Sequence, residues 1–272
     1  VCSRWEELRD TITFHAELAS ASNSISEFRF LNGPYSIVIG DSERDPDRVG
    51  MRQLTKKLEG GPAGATPLCA HINAIIMQIR DAELRLRQAN QVACIVICTD
   101  GICSDGDLVR AMKPLEKLPC WVVVKLCTDD DKIVDYWNNI DNHLELDMDV
   151  LDDFESEAVE CFEHNPWLVY GLELHRLREW GFKALKELDI LDERKLSSTQ
   201  MLHVLELLFN KKTADFNDPQ GDPLEFKRDI KRFSPTINHT FNATVGKMTP
   251  WINYNEIKRA YQLPGGTKCS IM

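Results

Sequence analysis

The stretch over residues 92–107, VACIVICTDGICSDGD, constrains the fold of this chain more than any other. A short apolar run rich in Val and Ile breaks abruptly into a polar loop that begins Thr99-Asp100-Gly101. Apolar runs of this length, bounded by a turn signal, read as central strands buried on both faces of a parallel sheet. In open parallel sheets the ligand crevice lies just beyond the carboxyl ends of the strands. Asp100 is therefore expected to face a ligand or a metal rather than the core.

Apolar spacing sets this strand in an alternating pattern. Trp5, Leu8, Ile12 and Ala16 recur at helical intervals over residues 4–18, and residues 28–31 and 35–39 read as short strands joined by Asn32-Gly33-Pro34. Val49–Leu58 is a short amphipathic helix closed by Glu59-Gly60-Gly61-Pro62. A longer helix over 67–89 carries Leu68, Ile72, Ile75, Ile76, Ile79 and Leu86 on one face, with Thr66 as expected N-cap and Pro67 as first residue. After the strand at 92–98 come a helix near 108–118, a second buried strand over Cys120–Leu126, and a helix over 131–140. A strand around 144–150 and a helix over 153–163 follow.

Strands alternating with helices predict an α/β fold: a doubly wound, mostly parallel central sheet flanked by helices. The pattern stops near residue 164. Residues 167–188 and 197–209 read as helices only, and Pro, Asn, Asp and Gly crowd the sequence from Thr213 onward. The expected organisation is a first domain over 1–164, a helical extension over 165–212, and an irregular C-terminal region over 213–272 with little core of its own.

Composition excludes several functions. A net charge of −11, with no basic stripe, argues against binding a nucleic-acid backbone. No apolar run approaches the ~20 residues needed to span a bilayer. The chain starts with Val1 rather than Met and meets Arg4, Glu6 and Glu7 at once, which reads as a fragment or processed product without a signal peptide. Nine cysteines form no spaced framework, and Cys-x-x-Cys and Cys/His zinc spacings are absent. Cys94, Cys98, Cys120 and Cys127 fall in or beside strands, as reduced core cysteines of a cytoplasmic protein do. The final Cys269-Ser270-Ile271-Met272 fits the prenylation pattern, with farnesyl favoured by the terminal Met and Lys258, Arg259 and Lys268 as a thin basic supplement. Cys269 is thus the expected lipidation site, and a membrane surface an expected contact. Sequons at Asn238 and Asn242 point instead to secretion and are discounted for want of a leader.

Two loops carry the chemistry. One, over residues 60–68, places the Thr66 hydroxyl at a helix start; the other presents Asp100 at a strand end. A hydroxyl and a carboxylate at one sheet edge suit a hard cation such as Mg²⁺, Mn²⁺ or Ca²⁺. At Ala65-Thr66-Pro67-Leu68 and Thr99-Asp100-Gly101, continued by Ser104-Asp105-Gly106-Asp107, the chain resembles the von Willebrand factor type A family. The order of elements over roughly its first three fifths agrees. The resemblance implies that Thr66 and Asp100 are ligands, direct or through water, of a metal-ion-dependent adhesion site. In that family the site also needs an Asp-x-Ser-x-Ser loop on a first strand, and only Val1-Cys2-Ser3 precede the first helix here. The resemblance therefore implies a half site and weak or absent metal binding by this chain.

The same residues admit plainer roles. Thr66 serves equally as a helix N-cap, and Asp100 as the acceptor of an Asx-turn. Asp105 and Asp107 read as the cap and first turn of the helix that follows them, and Asp129-Asp130-Asp131 as a strand-to-helix turn. The segment Asp215-x-Asn217 with Gly221 and Glu225 misses the register of an EF-hand. Two functions follow. The leading one is a non-enzymatic interaction module whose metal face takes an acidic side chain from a protein partner, as the resemblance implies. The alternative is a Mg²⁺-dependent phosphate-ester hydrolase with Asp100 as metal ligand, which lacks a nucleophilic Asp-x-Asp pair and an evident general acid.

Overall fold

A computed structural model describes residues 4–33, 36–43, 45, 48–128, 130–181 and 186–263. Cys269, Asp129 and part of the helix expected over 167–188 lie outside them. The chain divides into two compact units, residues 1–152 and 153–272.

In the first unit, helix α1 (Arg4–Ser22) is followed by strands β1 (Ser26–Arg29) and β2 (Ser36–Ile39), then α2 (Val49–Leu58) and α3 (Leu68–Gln88). β3 (Ala93–Thr99), α4 (Leu108–Met112), β4 (Cys120–Leu126), α5 (Asp131–His143) and β5 (Met148–Leu151) complete it. A 3₁₀ turn over Lys113–Lys117 continues α4, because Pro114 cannot donate to the α-helical ladder. β3, β4 and β5 form a three-stranded parallel sheet in that order, linked by α4 and α5 in two βαβ crossovers. β1 and β2 pair antiparallel as a separate hairpin. The sheet flanked by helices is Rossmann-like, whereas the expected larger sheet is, among the described residues, split in two.

β4 is the central strand, and every one of its residues is buried. Strand alternation sends Val122, Val124 and Leu126 to one face, where they pack with Ile72, Ile76 and Ile79 of α3, Met112 of α4, and Trp137 and Ile140 of α5. On the other face, Trp121 and Val123 meet Leu151 and Val96. Lys125 points that way too, only 1% exposed, and its ammonium lies 3.2 Å from Glu7 of α1. A buried lysine needs such a partner to stay charged. The Val92 run, expected to be central, is instead the edge strand β3. Ile95 and Ile97 are buried but Cys94 is exposed, because β3 pairs on one side only among the described residues.

The second unit is helical: α6 (Phe154–His164), α7 (Leu172–Glu179), α8 (Ser198–Phe209), α9 (Pro223–Phe233) and α10 (Tyr254–Ala260), with a hairpin of β6 (Thr240–Asn242) and β7 (Lys247–Thr249). The expected boundary near 165 moves to 152, because α6 buries Ala158 and Cys161 in this unit's core. That core contains Trp167, Leu174, Leu191, Val204 and Leu205, and also Phe226, Ile230, Trp251 and Ile257. Residues after 213 are therefore part of the core and not a coreless extension. Two buried polar staples hold the unit. Asn165 donates to the carbonyls of Leu191 (2.8 Å) and Arg194 (3.0 Å) and accepts from the Leu196 amide (3.0 Å). Arg178 meets Glu157 at 2.6 Å and Asp192 at 3.0 Å.

Ile257, fully buried, tests the revised boundary. Ile257→Ala is expected to destabilise the second unit by about 2–5 kcal/mol, read as a lower urea midpoint. A coreless extension would leave the midpoint unmoved.

Candidate functional site

Thr66 and Asp100 sit on two loops that the structure stitches together at the carboxyl edge of the parallel sheet. The Thr66 amide donates to Ser104 Oγ (3.0 Å), and the Ser104 amide donates back to the Thr66 carbonyl (2.9 Å). The Thr66 hydroxyl lies beside Gly101, where a Cβ would come within 3.5 Å of it. The first loop is held from behind by Asn32, whose Nδ2 donates to the carbonyls of Ala63 and Ala65, both at 2.8 Å. Gly64 adopts φ +100°, and a Cβ there would fall 2.5 Å from the Asn32 side chain, so the loop needs glycine for both reasons.

The second loop is equally pinned. The buried Thr99 hydroxyl accepts from the Gly101 amide at 3.2 Å, and the Trp137 indole donates to the Gly101 carbonyl at 3.2 Å. The turn is thus closed by Thr99 and not by Asp100. Asp100 is exposed, and its carboxylate has no partner among the described residues. The expected cap role of Thr66 is not realised either. Pro67 occupies the N-cap of α3 with ψ 63° and no side-chain cap bond. Thr66 therefore stands one position too early to reach the free amides, and its hydroxyl too is without a partner among the described residues.

The cap of α3 comes from Asp105, 36 residues away in sequence. Its Oδ1 accepts from the Cys69 amide and its Oδ2 from the Ala70 amide, both at 2.9 Å. Asp105 was expected to start the next helix, but Asp107 alone does so, accepting from the Arg110 amide at 3.0 Å. Asp130 likewise caps α5 by accepting from the Lys132 amide at 3.0 Å. Around Asp215, the polar side chains are also spent on local bonds, with Asn217 donating to Asp229 at 2.8 Å.

Sequence spacing missed one cluster. Cys69, in the first turn of α3, brings its Sγ to 3.4 Å from Cys103, whose thiol donates to Asp105 Oδ1 at 3.1 Å. The ligand atoms of Cys69, Cys103 and Asp105 all lie within 4.8 Å of one another. Burial pushes the Cys69 thiol up to about 12, with the Cys103 hydrogen bond adding to the rise. Desolvation acts to raise Asp105, but the Cys103 thiol and the amides of Ala70 and Cys69 outweigh it and hold the carboxyl below its ordinary value. The cysteines stand 34 residues apart, so no local motif announces them.

Comparison with family models, curated proteins and solved structures finds no match for this chain.

The depressed Asp105 carboxyl has a pH consequence. A group whose folded value is lowered stabilises the fold above its unfolded value, near 3.9, and loses that contribution as pH falls through the folded value. Asp105→Ala is expected to lower the thermal midpoint at neutral pH. The gap to wild type should close below about pH 4. A gap that persists at low pH would show that the carboxylate's charge is not what the helix uses.

Proposed function

We propose that the first unit is a non-enzymatic, metal-dependent protein-interaction module of the von Willebrand factor type A kind. The observation that carries this reading is the pair of oxygen groups, the Thr66 hydroxyl and the Asp100 carboxylate, which have no partner among the described residues and stand on two loops bonded to each other through Ser104. Both plainer roles for these groups are filled by other residues: Asp105 caps α3, and Thr99 closes the turn.

The donor set fits a hard divalent cation. Mg²⁺ and Mn²⁺ favour carboxylate, hydroxyl and water oxygens, and Mg²⁺ keeps several of its waters when bound through one or two protein groups. Thr66 would hold the cation directly or through water, and Asp100 would supply the charge. The cation's contribution is an open coordination position for an acidic side chain of a protein partner. The chain's own residues hold the two loops in register and keep Asp100 exposed to that partner.

With two protein ligands, Mn²⁺ binding is expected to be weak, with a Kd of about 1 mM. Asp100→Ala should weaken it at least tenfold or so, measured by the change in water-proton relaxation as Mn²⁺ is titrated into the chain. Thr66→Ala should weaken it less, since a neutral oxygen is lost. Equal Mn²⁺ affinity in wild type and Asp100→Ala would overturn the reading.

A further inference from the structure

We propose that Cys69, Cys103 and Asp105 form a second, chemically distinct site, which takes a thiophilic divalent cation of the Zn²⁺ class and clamps the loop after β3 onto the first turn of α3. Zn–S bonds of about 2.3 Å in a tetrahedron place two sulfurs about 3.8 Å apart. Cys69 and Cys103 Sγ are 3.4 Å apart, and Cys103 Sγ is 3.1 Å from Asp105 Oδ1. These two donor pairs are a few tenths of an ångström inside the edges of a zinc tetrahedron, and all three ligand atoms lie within 4.8 Å of one another, so small side-chain shifts let them receive the ion.

The backbone around them is already fixed. Asp105 is anchored on the Cys69 and Ala70 amides, and its neighbour Ser104 is bonded to Thr66. Gly106 lies against the cluster, where a Cβ would stand 3.3 Å from Cys69 Sγ. Cys69 is buried, Cys103 half-buried and Asp105 exposed, so the site is walled on the helix side and open to solvent on the other. Binding replaces two S–H bonds with two Zn–S bonds and releases two protons to the buffer. The Cys103 proton now held against Asp105 Oδ1 leaves in this step, which frees that oxygen to face the metal. Two thiolates and a carboxylate carry −3 against the cation's +2, and the remaining negative charge sits at the N-terminus of α3, where the helix dipole favours it. Three protein ligands leave the fourth position to water or to a donor from a partner. Softness separates this sulfur-rich site from the oxygen pair at Thr66 and Asp100, because Mg²⁺ does not compete for thiolate.

Co²⁺ titration of the full chain, reduced with a phosphine and freed of metal, tests the assignment. The expected result is a thiolate-to-cobalt charge-transfer band with tetrahedral visible bands. It should saturate at one equivalent, be bleached by Zn²⁺, and stand unchanged in excess Mg²⁺. Cys69→Ser and Cys103→Ser should each weaken binding at least about tenfold while the circular dichroism spectrum is retained. Independently of any variant, Zn²⁺ should protect Cys103 of the wild-type chain from alkylation, read by peptide mass. Absent bands, bands that survive in both serine variants, or alkylation of Cys103 unaffected by Zn²⁺ would each overturn the proposal. So would a wild-type chain whose two thiols remain a disulfide under the phosphine.

Discussion

The carboxylate of Asp105 against the first amides of α3 is the contact on which the candidate site depends. A helix start leaves amides without intrahelical partners, and Pro67 at the N-cap supplies no side-chain acceptor for them. Asp105 answers that need from a loop on the far side of β3, with one oxygen on Cys69 and the other on Ala70. Closing a loop of this length costs entropy that grows only slowly with its size, so two charge-assisted bonds and the Thr66–Ser104 pair suffice to hold it. Once that closure is made, the loop shows two faces of different chemistry. Its Thr99–Gly101 end stands beside Thr66 with hard oxygens, and its Cys103–Asp105 end stands against α3 with sulfur.

The sheet beneath supplies the rigidity. β4 is buried along its whole length, with α3, α4 and α5 covering one face and the Glu7–Lys125 pair tying α1 to the other. Trp137, fully buried in α5, passes that rigidity on to the loop by donating to the Gly101 carbonyl. The second unit is built on a different principle, an aromatic and aliphatic core stapled by Asn165 and Arg178.

Much of this was legible from local pattern. α2 and β4 have the bounds that periodicity predicts, and Asp107 and Asp130, from the two acidic turns, each cap the helix that follows. The C-terminal region departs from its composition for a physical reason. Pro223, Asn253 and Asp222 count as breakers by composition. In the structure Pro223 sits in the first turn of α9, Asp222 caps that helix and Asn253 caps α10. The same residues end order in one context and start a helix in another, and composition does not separate the two. The cap expected of Thr66 is lost for a subtler reason: Pro67 takes the N-cap, and this one-residue shift of the helix start leaves the hydroxyl without a partner among the described residues.

By itself the sequence determined the alternation of strands and helices, the two loops at one sheet edge, and the residue types that could serve there, because periodicity and turn chemistry act between near neighbours. It also determined that Asp100 would follow a strand end. Only the tertiary structure decided that β4, and not the Val92 strand, lies at the centre, that Asp105 caps a helix 36 residues upstream, and that Cys69 meets Cys103. Those outcomes depend on which faces bury together and which free amides find a carboxylate. Such choices are settled by packing across the whole unit and leave no trace in the spacing of the residues that make them.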